Sequence, residues 1–241
     1  MARVQSHSSL DKYATCPRLY YETYIIKSVK FEPSAATEFG LALHTAVENL
    51  IVTKQEPTVL PTDYKDGYAH YKKLRANITA LVGMKPREIY AERKLAFNHD
   101  MLACDYWGTD AMFRGVLDVL AVWDKTALIG DHKTGKEVTG SLQLYRNALA
   151  VFLTYPQVET VYTAYWHSDP SITDRQPAAI KRSEMLDIYN EIKRAVLLIN
   201  SAEALGCWIP KPSGLCPASE RNPNYKGCPA ANCKHSAFYI G

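Results

Sequence analysis

The sequence predicts a mixed α/β fold, a central mixed β-sheet flanked by helices, and three observations predict it. Between residues 38 and 54, Phe39, Leu43, Ala46, Val47 and Leu50 recur three and four apart, as one buried helix face requires. From Glu88 the period shortens to strand-like alternation, carried through three segments by β-branched and aromatic residues. Helical character then returns before a further strand and a last helix. The order after a short N-terminal helix is α-α-β-β-β-α-β-α, which suits a sheet covered by helices.

The short first helix carries Leu10, Tyr13 and Ala14, with Ser8 or Ser9 as its cap and an end near Cys16-Pro17. A second long helix is expected over about 62–82. Strands are expected from Glu88 to Ala96, Met112 to Val122 and Ala127 to His132, the last two joined through Trp123-Asp124-Lys125-Thr126. Ser141 to Leu153 reads as a helix. Val158, Thr160, Tyr162, Ala164 and Trp166 alternate as a fourth strand. Ser183 begins a helix with Leu186, Tyr189, Ile192, Val196 and Ile199 on one face. From Gly206 the texture turns to Pro, Gly, Asn and Cys without periodicity. Such a tail buries little apolar surface, so a staple must hold it. The expected organisation is a core over 1–205, which includes the N-terminal helical segment, and a Cys-rich tail over 206–241 that closes onto the N-terminus.

The 241 residues are 47% hydrophobic, which argues against disorder. The opening MARVQSHSSLDKY has no apolar core of a signal peptide, and no run approaches eighteen apolar residues, so a cytoplasmic protein with no membrane partner is expected. With 28 basic and 25 acidic residues the net charge of +3 neither demands nor forbids a nucleic-acid partner. Short basic clusters stand at Lys72-Lys73-Arg75 and Lys181-Arg182.

The chemistry gathers on one hairpin. A two-residue loop at Asp124-Lys125 pairs Trp123 with Thr126 and, counting on, Asp118 with Asp131. Directly opposed side chains lie roughly 5 Å apart on one face. Two carboxylates at that distance repel by roughly 3 kcal/mol at an effective dielectric near 20. A divalent cation between them removes the conflict, and oxygen ligands suit Mg²⁺ or Mn²⁺. Lys133, two residues beyond Asp131, shares its face. Its ammonium could orient an attacking water and stabilise charge on a phosphoryl oxygen. On the upstream helix, Gly40, His44 and Glu48 are four apart and share a face. His44 is either a satisfied helix histidine or a third metal ligand.

Together these residues resemble the RecB-like branch of the PD-(D/E)xK nucleases. The resemblance rests on Gly40-x3-His44, Gly115-x2-Asp118, Asp131-x-Lys133-Thr134-Gly135-Lys136 and Gln143 on the next helix. The opening SSLDKYATCPRLYY and the cysteines after Trp208-x-Pro-x-Pro are similar to the family's two ends, so the likeness spans Ser8 to Cys233. It implies a restriction-endonuclease-like core, with His44, Asp118, Asp131 and the backbone carbonyl of His132 as Mg²⁺ or Mn²⁺ ligands. It implies Asp118, Asp131, Lys133 and Gln143 as the catalytic set. Two features depart from the pattern: Asn147 stands where the family usually has Tyr, with Tyr145 displaced by two, and the C-terminal cysteines are widely spaced as C-x11-C-x4-C.

Six cysteines stand at 16, 104, 207, 216, 228 and 233. Without an export signal, metal ligation explains the late cluster better than disulfides. Chains with one N-terminal and three C-terminal cysteines are similar to AddB nuclease domains and CRISPR-associated RecB-like exonucleases. That resemblance implies a [4Fe-4S] cluster on Cys16, Cys216, Cys228 and Cys233. Zinc is the rival, with His235 as a further donor. Cys207 is expected to pack at a helix end and Cys104 to be a free thiol.

The resemblance implies a metal-dependent DNA exonuclease acting on single-stranded ends in recombination, repair or processing. It would stand alone, like small bacteriophage recombination exonucleases, or work beside a recombination or helicase partner. The alternatives are a non-cutting, nuclease-like subunit that binds DNA ends, and a zinc-stapled scaffold whose hairpin carboxylates are incidental.

Overall fold

The computed structural model describes residues 3–30, 33–56, 66–135, 137, 142–213, 216–217, 227–230 and 232–236. The chain divides into two compact units, Met1–Glu32 with Asn190–Gly241, and Pro33–Tyr189. The boundary drawn from the sequence at 205/206 falls inside the first unit.

In the first unit, α1 (His7–Thr15) is capped by Ser6 rather than by Ser8 or Ser9. Ser9 instead completes a capping box, its hydroxyl accepting from the Ser6 N–H at 2.8 Å. Cys16 closes α1 and opens α2 (Pro17–Tyr20), where Pro17 occupies the first helical position, the one place a helix tolerates it. A π-helical turn follows over Tyr21–Ile25. Trp208 stacks on Tyr20 and Tyr21 at 5.7 and 5.3 Å. The fully buried Glu22 is paired with Arg18 at 2.9 Å and accepts from the backbone N–H and side chain of Asn232 at 3.3 and 3.2 Å. The tail, poor in apolar periodicity, is thus held to the N-terminal segment by stacking and by a charge-assisted network. Cys207 does not pack as expected; it is exposed.

The second unit opens with α3 (Ala35–Thr53), capped by the Ser34 hydroxyl, and α4 (Gly67–Gly83); the expected start of α4 at 62–65 lies outside the described residues. Then come β1 (Glu88–Asn98), β2 (Ala111–Val122), β3 (Thr126–Lys133), α5 (Leu142–Thr154), β4 (Thr160–His167) and β5 (Ala178–Lys181). A 3-10 turn at Arg182–Glu184 leads into α6 (Met185–Ala204), whose residues from Asn190 on belong to the first unit. Ser141, the expected start of α5, is outside the described residues. The sheet runs β1-β2-β3-β4-β5, antiparallel throughout except for the parallel β3–β4 pair. A parallel pair needs a crossover, and α5 provides it. The mixed sheet flanked by helices expected from the sequence is therefore the fold.

Phe39, Leu43, Val47 and Ile51 of α3 and Tyr71, Leu74, Ile78 and Leu81 of α4 form one core with Val119, Ala121, Leu128, Ala164 and Trp166 of the sheet. Leu43 and Leu74 are wholly buried, and truncating such a residue to Ala costs about 2–5 kcal/mol. α5 touches β1 to β4 yet contributes nothing to this cluster, so it covers the other face. The inward stripe of α6 begins at Ile188 and Tyr189, not at Leu186, which is 60% exposed. β5, absent from the sequence expectation, is only four residues long.

Candidate active site

The β2–β3 hairpin has the register expected from its two-residue loop: Val122 opposes Ala127 and Val119 opposes Gly130. The ladder stops there. One step further the strands part, and the Asp118 carboxylate takes the place of a backbone acceptor, receiving the His132 N–H at Oδ2 over 2.8 Å. β3 continues beside β4 to Lys133, opposite His167. Asp118 and Asp131 thus sit in the fork where two strands separate.

On the other side of β2 the pairing with β1 is also interrupted. Ala91 opposes Val119 and Arg93 opposes Leu117, which leaves Glu92 and Asp118 facing each other without ladder bonds. Glu92 has a φ of 48°, the left-handed region, in the middle of a strand. An L-residue there costs roughly 1–2 kcal/mol, and such strain concentrates at functional sites. The local effect is a change of face. Val119 and Ala121 point into the α3–α4 core, yet Gly115, an even number of residues away, lies against Asn147 of α5. The switch turns Glu92 and Asp118 toward α3, where His44 waits.

His44 Nδ1 lies 3.5 Å from Asp118 Oδ2 and 3.9 Å from Glu92 Oε1. α3 can approach the strand end because Gly40 has no Cβ; one built there would meet the Thr134 hydroxyl at 3.0 Å. Lys136, the last residue of the sequence motif, is outside the described residues. The His132 ring sits edge-on to His44 at 5.4 Å and stacks on Trp166 at 5.6 Å. His44, Asp118 and His132 offer donor atoms within 4.8 Å of one another. The sequence singled out only the backbone carbonyl of His132; its ring enters the donor group as well.

On the α5 side, Lys133 Nζ lies 2.6 Å from Asp131 Oδ2 and donates to Gln143 Oε1 at 3.2 Å. Gln143 Nε2 donates in turn to Asp131 Oδ1 at 2.7 Å. Gln143 therefore positions both the carboxylate and the ammonium of the Asp-x-Lys pair. Asn147, one helical turn further along, is buried against Gly115, which leaves no room there for a tyrosine ring.

The electrostatics follow from three carboxylates on three adjacent strands. Burial first, and then Asp131, push the Asp118 carboxyl up to about 6. Burial also raises the Asp131 carboxyl, against the opposing pull of Lys133. Burial disfavours charge on His44, but Glu92, Asp118 and Asp131 outweigh it and raise its pKa. Burial, His44 and Lys133 push His132 down to about 3, so its ring is neutral and able to donate a lone pair. The buried His132 Nε2 has no hydrogen-bond partner among the described residues, and Asp131 Oδ2 makes no well-directed hydrogen bond despite its ionic contact with Lys133. His132 faces Asp118 Oδ2 through Nδ1, at 4.0 Å, rather than through the unpartnered Nε2, and the buried, under-satisfied Asp131 oxygen beside Asp118 fits a bound cation.

Glu92 is the site residue the sequence reading missed. Its pairing opposite Asp118 follows from the β1–β2 register, but the long loop between those strands conceals that register in the sequence.

Residues 5–204 match the PD-(D/E)XK nuclease superfamily. The chain belongs to this superfamily. The fold of this PD-(D/E)XK protein is similar to that of the solved Eubacterium rectale protein named "Putative exonuclease", with a TM-score of 0.55 and 13% identity over 88% of this chain and 85% of that chain. The solved structure of SSO0001 superposes less closely, with a TM-score of 0.36 and 13% identity over 82% of this chain and 77% of that one. No curated protein matches the chain. Among the described residues no helix is long and apolar enough to cross a membrane.

Proposed function

We propose that this PD-(D/E)XK protein is a divalent-metal-dependent DNA exonuclease that hydrolyses phosphodiester bonds at single-stranded ends, in recombination, repair or DNA processing. The observation that carries the reading is the meeting of His44 with Asp118, and of Lys133 with Asp131, at the fork between β2 and β3, beside the donor group of His44, Asp118 and His132. The His132 N–H, Lys133 and Gln143 partly satisfy these carboxylates, yet burial still raises both carboxyls, and a bound cation relieves that conflict. Asp118, Asp131, His44 and the backbone carbonyl of His132 would hold the cation, with the His132 ring as a further donor. When bound, Mg²⁺ or Mn²⁺ supplies Lewis acidity and a water of lowered pKa. Imidazole donors beside carboxylates favour Mn²⁺ over Mg²⁺, which prefers oxygen alone. Lys133 orients the attacking water and offsets charge gathering on the phosphoryl oxygens. Gln143 keeps Lys133 and Asp131 in one geometry, so that neither swings away when substrate arrives.

The test is end-labelled linear and circular single-stranded DNA incubated with Mn²⁺, Mg²⁺ or EDTA. Mononucleotide or short products from the linear strand alone support the reading; metal-independent release, or equal cutting of circles, counts against it.

The same proposal assigns a [4Fe-4S] cluster to Cys16, Cys216, Cys228 and Cys233. All four line one cavity of about 160 Å³ in the first unit, beside His235. The Lys211 and Ser213 N–H groups point at the sulfurs of Cys16 and Cys216 at 3.4 and 3.3 Å, the kind of hydrogen bond that stabilises cluster ligands. A single zinc, about 2.3 Å from each thiolate, would draw the sulfurs to within roughly 4 Å of one another. Zinc on the same four thiolates is the rival, and colour and metal content tell the two apart.

A further inference from the structure

Of the basic groups that stand out in the sequence, Lys73, Arg75 and Arg182 are engaged by partners of the protein itself. Lys73 donates to the Asp169 carbonyl at 2.9 Å and pairs with Asp174, Arg75 pairs with Glu56, and Arg182 binds the carbonyls of Val158, Phe152 and Tyr155. A different pair of cations is placed otherwise. Lys94 of β1 lies 5.9 and 5.4 Å from the ring centroids of Tyr106 and Trp107, and Arg114 of β2 lies 5.4 and 5.6 Å from the same two rings. The rings meet edge to face at 4.9 Å, and Trp107 is 69% exposed.

The place of this group decides its meaning. Beyond the face switch at Glu92 and Asp118, residues 92 and 94 and residues 114, 116 and 118 share one side of the β1–β2 ribbon. Lys94 is two residues from Glu92, and Arg114 is four from Asp118. At about 3.4 Å per residue they stand about 7 and 14 Å along the ribbon from the candidate metal ligands. The group is a continuation of the active-site face.

We propose that Tyr106, Trp107, Lys94 and Arg114 form a binding platform for single-stranded DNA, on which a base stacks against Trp107 while the two cations hold the flanking phosphates. This rests on the DNA-cleaving reading of the Asp118 site and names the surface that selects its substrate. An exposed indole offers a flat face to any base, and stacking of this kind is indifferent to sequence. Asp105 and Asp110 belong to the same loop, so the patch is not simply cationic and net attraction to phosphate is muted. Stacking, rather than charge, is what distinguishes it. Bases in a duplex are already stacked on their neighbours, so the platform discriminates in favour of single strands.

The test is fluorescence anisotropy of a labelled oligothymidylate and of a labelled duplex, in EDTA so that neither is cut. Trp107→Ala should weaken oligothymidylate binding about tenfold or more, Trp107→Phe should restore most of it, and duplex affinity should be unchanged in both. Lys94→Ala with Arg114→Ala should lower affinity further and flatten its salt dependence. Unchanged oligothymidylate affinity in Trp107→Ala overturns the proposal, as does equal loss on duplex, or absence of binding by the parent protein. The two readings fail separately. If Asp118→Ala still cuts DNA the nuclease assignment falls whatever the platform does, and if only the parent protein cuts while Trp107→Ala binds normally, the platform alone falls.

Discussion

The backbone N–H of His132 donates to Asp118 Oδ2 across the point where β2 and β3 part. One carboxylate therefore ends a β-ladder and joins the candidate metal site. The two roles separate by mutation. Asp118→Asn keeps an acceptor for His132 and removes a charge facing Asp131 and Glu92, so the metal-free protein should melt at the same temperature or higher while metal-dependent cutting is lost. Asp118→Ala should lose cutting equally but also leave the His132 N–H unpaired, at a cost of about 1–3 kcal/mol. Thermal melts of the two variants beside the parent check this; a less stable Asn variant would show that the carboxylates do not repel.

His44 stands within reach of both Asp118 and Glu92. His44→Ala should raise the Mn²⁺ concentration needed for half-maximal cutting by about 10- to 100-fold, with little change in melting temperature without metal. A large loss of stability with unchanged metal dependence would make His44 a core histidine instead.

Asp118 titrates near 6, pushed up by burial and Asp131. Between about 4 and 6 the folded protein holds a proton that the unfolded chain has released. Without metal, this group's contribution to stability is full below about 4 and is lost as pH rises through 6. Metal needs the ionised carboxylate, so its effect runs the opposite way. The rise in melting temperature given by saturating Mn²⁺ should grow from about pH 5 to about pH 7. An increment flat across that range would remove Asp118 from the ligand set.

Much of the fold was legible because its signals are local. The α3 stripe at Phe39, Leu43 and Val47 and the turn at Asp124-Lys125 need only a few neighbouring residues to be read, and the turn alone sets the register as far as Val119 opposite Gly130, one step short of Asp118 and Asp131, where the strands part. What escaped depends on distant partners. β5 is four residues that become a strand only because β4 offers an edge. Leu186 keeps the helical period as well as Ile188, and only the packed core chooses between them. The likeness at His44, Asp118, Asp131, Lys133 and Gln143 pointed to a site, but Glu92 belongs to no motif. Its place follows from a change of face in β1 that alternation alone does not foretell.

Cys16 lies some two hundred residues from the other three cysteines, yet it lines the same cavity. Anaerobically purified protein should be brown, with broad absorbance near about 400 nm. Cys16→Ser should bleach it and make the C-terminal tail more sensitive to protease. Colourless protein with stoichiometric zinc would replace the cluster by an ion and leave the nuclease site untouched.

The most direct measurement is cleavage of end-labelled single-stranded DNA by Lys133→Ala in Mn²⁺, alongside Mn²⁺ binding followed by calorimetry. Lys133 contacts Asp131 and Gln143 but is not a metal ligand, so metal should still bind while cutting falls by at least about a hundredfold. Cleavage by Lys133→Ala at the parent rate, in protein free of contaminating nuclease, would contradict the account.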